Sequence, residues 1–247
     1  MKKILVFVLV VTMVALLSVN AFAAKYTDPW DAYGPQLIDK DDVWYKEARE
    51  FVLKEGLMKR IIVNKYFNGS VYYFGGPYES FEGEAPAPRS DVALILCRYN
   101  VSYDVLRGYK ESKSENFVDV PAGQLYTPAV DWAYENGIIN GVGGAYFAPE
   151  RTITREEFAA MLYRYTEYLE VDTSARVDYF DFADSESVSE WAHEAMSWAV
   201  AEGLINGKPG NLLAPQDTIT RAEVATVIYR YNNEVKAHRD ILDGMTW

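Results

Sequence analysis

Apolar residues recur at i, i+3, i+4 and i+7 in three stretches of the chain. They are Val92, Ile95, Leu96 and Tyr99; Phe158, Met161, Leu162 and Tyr165; and Val224, Val227, Ile228 and Tyr231. That spacing puts each set on one face and predicts three amphipathic helices. The second and third are preceded by T-x-x-E, Thr154 to Glu157 and Thr220 to Glu223. Threonine at the N-cap accepts from the N3 amide, and the N3 glutamate reaches back to the cap amide. Ile153 with Phe158, and Ile219 with Val224, supply the hydrophobic staple of the same motif. The first stretch has Pro88 at the cap position, so its box is lost, but it keeps Arg89 and carries Asp91 in place of the glutamate.

A shorter helix is predicted ahead of each of these. In the last copy Trp191, Ala195, Trp198 and Ala199 fall on one face. Gly56, Gly137 and Gly203 stand where a left-handed residue ends such a helix. Asn140-Gly141 and Asn206-Gly207 follow as turn signals.

The elements form a repeat. Shifting the chain by 66 residues lays Trp132–Tyr165 on Trp198–Tyr231 without a gap, with 18 of 34 positions identical. A degraded copy lies upstream: Arg89, Ala93, Leu96, Arg98 and Tyr99 align with Arg155, Ala159, Leu162, Arg164 and Tyr165, and Trp44–Met58 aligns with Trp191–Ile205. Between its two helices this copy carries 15 extra residues, rich in Gly, Tyr and Pro. Units of this size, with two short helices, cannot bury a sufficient core alone. The expected fold is therefore all-α: three helix-loop-helix repeats in a compact pseudo-threefold arrangement, second helices inward, with three grooves between neighbours. The expected repeats are 37–100, 115–166 and 180–232, joined by connectors at 101–116 and 167–180 and followed by a tail at 233–247.

The formal net charge is −12, with no basic run, which argues against nucleic acid as a partner. Residues 1–23 read as an export signal: Lys2 and Lys3, an apolar run from Ile4 to Val19, then Ala21-Phe22-Ala23. Cleavage there removes two lysines and takes the charge to −14. No second run is long enough for a membrane span. One cysteine, Cys97, excludes a disulfide framework, and its apolar surroundings suit a buried structural thiol. His193 and His238 read as surface residues, and no metal site or cofactor is expected. No nucleophile elbow, zinc-protease, P-loop or dinucleotide motif appears, so no catalytic residue is assigned.

The ordered motifs resemble the S-layer homology (SLH) family. They are Phe117-Val118-Asp119-Val120, Trp132-Ala133, Gly137-Ile138-Ile139-Asn140-Gly141, Phe147-Ala148-Pro149 and Ile153-Thr154-Arg155-Glu156-Glu157-Phe158. Repeat three keeps Phe182-Ala183-Asp184 and Ile219-Thr220-Arg221-Ala222-Glu223; repeat one departs in its cap, its insert and its start, Ile38-Asp39. The resemblance implies a noncatalytic module that holds exported proteins on a bacterial cell surface. Its implied ligand is a secondary cell-wall polymer, often with a pyruvylated terminal sugar, or another peptidoglycan-linked glycan. Other surface-layer proteins are implied as further partners, in a chain that assembles with itself or with them.

An anionic polymer and an acidic protein do not attract at long range, since fields are screened within about 8 Å at physiological salt. Local groups must carry the binding. Arg155 and Arg221, at N1 of their helices, can offer a guanidinium fork beside free helix amides, and Arg89 is their counterpart in repeat one. Trp132 and Trp198 can give flat faces to sugar CH groups, and Asn140, Gly141, Asn206 and Gly207 can give amide and backbone donors. Each has a structural alternative: pairing of the arginines with a neighbouring repeat, packing of the tryptophans, turn formation at the glycines. Thr154, Glu157, Thr220 and Glu223 are assigned to capping and support, and Arg164 and Arg230 to the C-terminal dipole of their helices. The connectors and tail are too short for a further domain, which leaves a free-standing surface-coat component or adaptor as the alternative to a wall-binding module.

Overall fold

Thr154 and Thr220 each accept from the N3 amide, at 3.3 and 3.2 Å, while Glu157 and Glu223 take the cap amides at 3.0 and 2.8 Å. Both capping boxes are thus complete. They open the helices Arg155–Tyr168 and Arg221–Arg230. The third long helix, Arg89–Asn100, starts after Pro88, whose ring suits the entry to a helix though it cannot cap one. The predicted apolar faces are inside: Phe158, Leu162, Val224, Val92 and Leu96 are all fully buried.

The computed structural model describes residues 41–59, 61–63, 66–67, 70–71, 78–100, 106 and 109–236. The expected export signal at 1–23, the Ile38-Asp39 start of repeat one, His238 and most of the tail lie outside these. In chain order the helices are α1 (Lys46–Lys54), α2 (Arg89–Asn100), α3 (Thr127–Glu135), α4 (Arg155–Tyr168), α5 (His193–Ala201) and α6 (Arg221–Arg230), and α6 runs into a π-helical turn, Tyr231–Lys236. Among the described residues no helix is long and apolar enough to cross a membrane.

The first helix of each repeat ends as its glycine predicts. Gly56, Gly137 and Gly203 have φ of 69°, 70° and 64°. The following amides turn back to the helix, Leu57 to Val52, Ile138 to Ala133 and Leu204 to Ala199, which satisfies end carbonyls. One expectation fails here. Trp191 does not share the buried face of Trp198: it sits in a 3₁₀ turn, Glu190–Ala192, ahead of α5 and is 54% exposed. The 3.6-residue period does not extend into a turn of different pitch. Its counterpart Trp44, before α1, is likewise exposed.

Helices pack across repeats. α3 lies on α2, α5 on α4, and α1 on α6, so the first helix of each repeat covers the second helix of the one before it and the set closes into a ring. Two triangles mark the ring's axis. Ala87 N–H donates to Ile219 C=O at 2.9 Å, Ile219 N–H to Ile153 C=O at 3.0 Å, and Ile153 N–H to Ala87 C=O at 3.0 Å. These three residues are equivalent under the 66-residue shift. The equivalent tyrosines Tyr99, Tyr165 and Tyr231 meet with ring centroids 5.9–6.3 Å apart. The pseudo-threefold helical arrangement is therefore present, with a main hydrophobic core shared by all three repeats.

Tyr165 Oη is buried and has no hydrogen-bond partner among the described residues. An unpaired buried hydroxyl costs stability, whereas the ring contributes packing. Tyr165→Phe is therefore expected to leave the thermal midpoint unchanged or raise it, and a fall of several degrees in calorimetry would contradict this.

The insert of repeat one, Ile61–Ser80, belongs to a different compact unit from the helices. β1 (Ile61–Val63) pairs antiparallel with β4 (Tyr78–Ser80), with Ile62 opposite Glu79, and β2 (Tyr66–Phe67) pairs with β3 (Ser70–Val71). These short strands are an addition to the otherwise helical chain that the sequence reading did not foresee. The Tyr72–Pro77 run lies outside the described residues.

Candidate functional site

The three equivalent arginines are buried, 4–5% exposed, and each ties its own repeat to the next. Arg89 Nε donates to Phe147 C=O at 3.0 Å and Nη2 to Asn140 C=O at 3.1 Å, while Nη1 lies 3.3 Å from Glu157. Arg155 repeats the set with Leu213 C=O, Asn206 C=O and Glu223 at 3.1, 2.8 and 3.2 Å. Arg221 closes the ring with Phe81 C=O, Lys59 C=O and Asp91 at 3.1, 2.7 and 2.9 Å. A guanidinium suits this task because its fixed fork reaches two carbonyls and a carboxylate at once.

The helix amides beside these arginines are not free, contrary to expectation. Arg89 and Ser90 N–H donate to Arg151 and Pro149 C=O, Arg155 and Glu156 N–H to Asp217 and Pro215 C=O, and Arg221 and Ala222 N–H to Ala85 and Gly83 C=O. Neighbouring repeats take up the N1 and N2 donors, and the threonine takes the N3 donor in α4 and α6. The structural alternative thus accounts for the main hydrogen bonds of Arg89, Arg155 and Arg221.

Two aspartates hold the strips that these arginines read. Asp119 accepts from Phe147 and Ala148 N–H at 2.8 and 2.7 Å, and Asp184 from Leu213 and Ala214 N–H at 2.7 and 2.8 Å. Ala148 and Ala214 have φ of 58° and 53°, a left-handed bend that turns the Phe147 and Leu213 carbonyls to the guanidiniums. Among the described residues no group of three His, Cys, Asp or Glu is placed to hold a metal ion.

The tryptophans are packing residues. Trp198 is fully buried, 5.5 Å from the Tyr163 ring, so it offers no face to a sugar. Trp132 is half-buried against Tyr168, with centroids 5.7 Å apart, and against the cluster of Cys97, Leu106 and Ala129. Asn140 and Asn206 expose their side chains and give their backbone carbonyls to arginines. Gly141 and Gly207 are where the turn is crossed closely: a Cβ would sit 2.7 Å from Tyr146 C=O or 2.5 Å from the Phe182 ring. Cys97 is buried and His193 exposed, as expected.

A groove of about 470 Å³ opens over the Arg89–Glu157 pair. It is lined by Arg89, Arg151, Glu157 and Arg164, by the Asn140–Val142 turn and by Trp191. All three repeats contribute to it. Glu157 is held bidentately by Arg151, at 2.6 and 3.2 Å. Burial raises its carboxyl, but the Arg151 hydrogen bonds, the Thr154 amide and the Arg89 charge outweigh this and leave it below the usual value. Burial in turn holds Arg89 below the usual arginine value; Glu157 opposes that shift, while the Arg151 and Arg164 charges add to it. The groove thus brings together Arg89, Asn140, Gly141 and Glu157 of the expected residues, but not Trp132 or Trp198. Sequence reasoning missed Arg151 and Trp191 and gave Arg164 a purely structural place. The signal for Trp191 was its match to Trp44, although the helical period placed it on the buried face; Arg151 gave none.

The S-layer homology domain model matches residues 116–159 and 181–225. Among similar proteins, an amylopullulanase from Thermoanaerobacterium thermosulfurigenes is 39% identical over 137 residues, 56% of this chain and 7% of that protein. A surface-layer 125 kDa protein from Lysinibacillus sphaericus is 37% identical over 125 residues, 49% of this chain and 10% of that protein. A cellulosome-anchoring protein from Acetivibrio thermocellus is 28% identical over 159 residues, 63% of this chain and 34% of that protein. The chain thus spans only a minor part of the length of these relatives. The segments 116–159 and 181–225 are thus S-layer homology domains, and a third, divergent copy closes the same ring of helices and arginines.

Proposed function

We propose that this chain is a noncatalytic module of the bacterial cell surface that attaches to the wall by binding a wall-linked acidic polysaccharide, its terminal sugar pyruvylated, in a groove between repeats. The observation that carries the reading is the groove itself: three guanidiniums and one carboxylate beside an exposed indole, on a chain of net charge −12. Guanidinium forks recognise carboxylates, and an exposed indole covers sugar CH groups. The relatives support attachment rather than chemistry. An amylopullulanase, a surface-layer protein and a cellulosome-anchoring protein have little in common by name, yet each matches this chain over a small part of its length. In this reading the motif arginines, with the capping threonines and glutamates, build the groove, and no enzyme activity resides here. The partners are the wall glycan and other surface proteins, and the protein is exported.

The protein is expected to co-sediment with purified walls that carry their polysaccharide and to stay in solution with walls stripped of it. Equal pelleting with both would overturn the reading. A structural role in a surface layer is the alternative, and Val118 and Phe180, each 72% exposed, favour it. Light scattering that grows with concentration in the absence of walls would support that reading.

A further inference from the structure

Arg164 differs from its two equivalents. Arg98 Nη1 donates to Leu57 C=O at 3.2 Å and Arg230 Nη1 to Leu204 C=O at 3.1 Å, each closing the end of its repeat's first helix. Arg164, at the same place in α4, makes no hydrogen bond or ion pair with any described residue and lines the groove. It is half-buried, and burial holds it below the usual arginine value.

Position 151 differs as well. Sixty-six residues away on either side stand Asp217 and Ala85. Asp217 pairs with Lys208 at 3.2 Å, and Lys208 also approaches Glu223 at 3.8 Å, so the second interface carries a cation already surrounded by carboxylates. At the first interface Arg151 and Arg89 instead share Glu157, so two guanidiniums face one carboxylate and Arg164 adds a third positive charge to the groove. Glu167 acts on Arg164 by its charge without bonding to it, and a half-buried cation with open donors next to two others is stabilised by an anion that enters the groove.

We propose that the three interfaces are not equivalent in binding: the one between Arg89 and α4 is the acidic-sugar site, with Arg164 and Arg151 as its anion clamp. This rests on the wall-binding reading above and adds to it which groove acts and through which side chains. Arg89 positions the groove from beneath, Arg164 meets the anionic group, and Arg151 keeps Glu157 from repelling it. The exposed face of Trp191 takes the sugar ring. The anionic group is a carboxylate or a phosphate, both of which fit a guanidinium fork.

The test is co-sedimentation of the full chain with purified walls. Arg164→Gln and Arg151→Asp are each expected to weaken binding roughly ten- to a hundredfold, the range for a lost charge-assisted hydrogen bond. Arg164→Gln should do so without moving the thermal midpoint, because the side chain has no hydrogen bond or ion pair to lose and the attraction of Glu167 is set against the repulsion of Arg89. Lys113→Gln, an exposed change of the same charge, should bind as the parent does. Walls whose carboxyls have been reduced with carbodiimide and borohydride should lose binding if the group is a carboxylate; walls treated with hydrogen fluoride should lose it if the group is a phosphate. Parent-like binding by Arg164→Gln would overturn the proposal while leaving wall attachment intact, as would binding that survives both treatments. Failure of the parent protein to pellet would overturn both.

Discussion

Arg155→Lys is expected to lower the unfolding free energy by about 2 kcal/mol, and Arg155→Met by about 3–5 kcal/mol. The guanidinium serves Leu213 C=O, Asn206 C=O and Glu223 together. A lysine ammonium is a single point of donors and cannot reach all three. Methionine fills the channel but leaves two carbonyls and a carboxylate without their donor, and unsatisfied buried groups cost about 1–3 kcal/mol each. Urea unfolding followed by far-UV circular dichroism measures this as a lower midpoint at unchanged slope. A midpoint within error of the parent would show that the inter-repeat ties do not support the fold. Because Arg155 joins repeats two and three, a reduced slope or a second transition would mean that the ring had opened.

Trp198→Ala should cost about 3–5 kcal/mol, the range for an emptied aromatic site. Trp198 is fully buried between α5 and α4 and fills the interface of two repeats. Trp198→Phe separates shape from polarity. It removes the indole N–H, which has no partner among the described residues, and keeps a ring against Tyr163. Its expected cost is about 1–2 kcal/mol, because loss of an unpaired donor offsets part of the lost volume. Calorimetric midpoints of the two variants give the comparison. Equal losses would mean that the residue's contribution is not packing volume.

The helices, their caps and the threefold plan were legible because each rests on local chemistry. Thr154 with Glu157, the 3.6-residue period from Phe158 to Tyr165, and Gly137 as a helix end all act within a few residues of themselves. The site was less legible. That Arg155 donates to carbonyls 51 and 58 residues ahead depends on how repeats dock, and no local pattern carries that. The same docking consumes the N1 and N2 amides that an isolated helix would leave open. Trp198 and Trp191 exchanged expectations for a related reason. The helical period says which residues share a face, but not that the chain tightens into a 3₁₀ turn before His193 and throws Trp191 outward. The role of Asp119 as a loop strut was hidden because its partners, Phe147 and Ala148, lie in irregular chain.

The Ala87, Ile153 and Ile219 triangle has a consequence for copy number. Three donors and three acceptors are all consumed, so these three residues leave nothing at the axis on which another copy can pair. An open stack of repeats lengthens by duplication, each new unit meeting the same surface as the last. Here a fourth unit would have to break a bond of the triangle before making one. Growth by tandem duplication is thus penalised at its first step, and evolution of this scaffold is steered toward altering one member of a fixed trio.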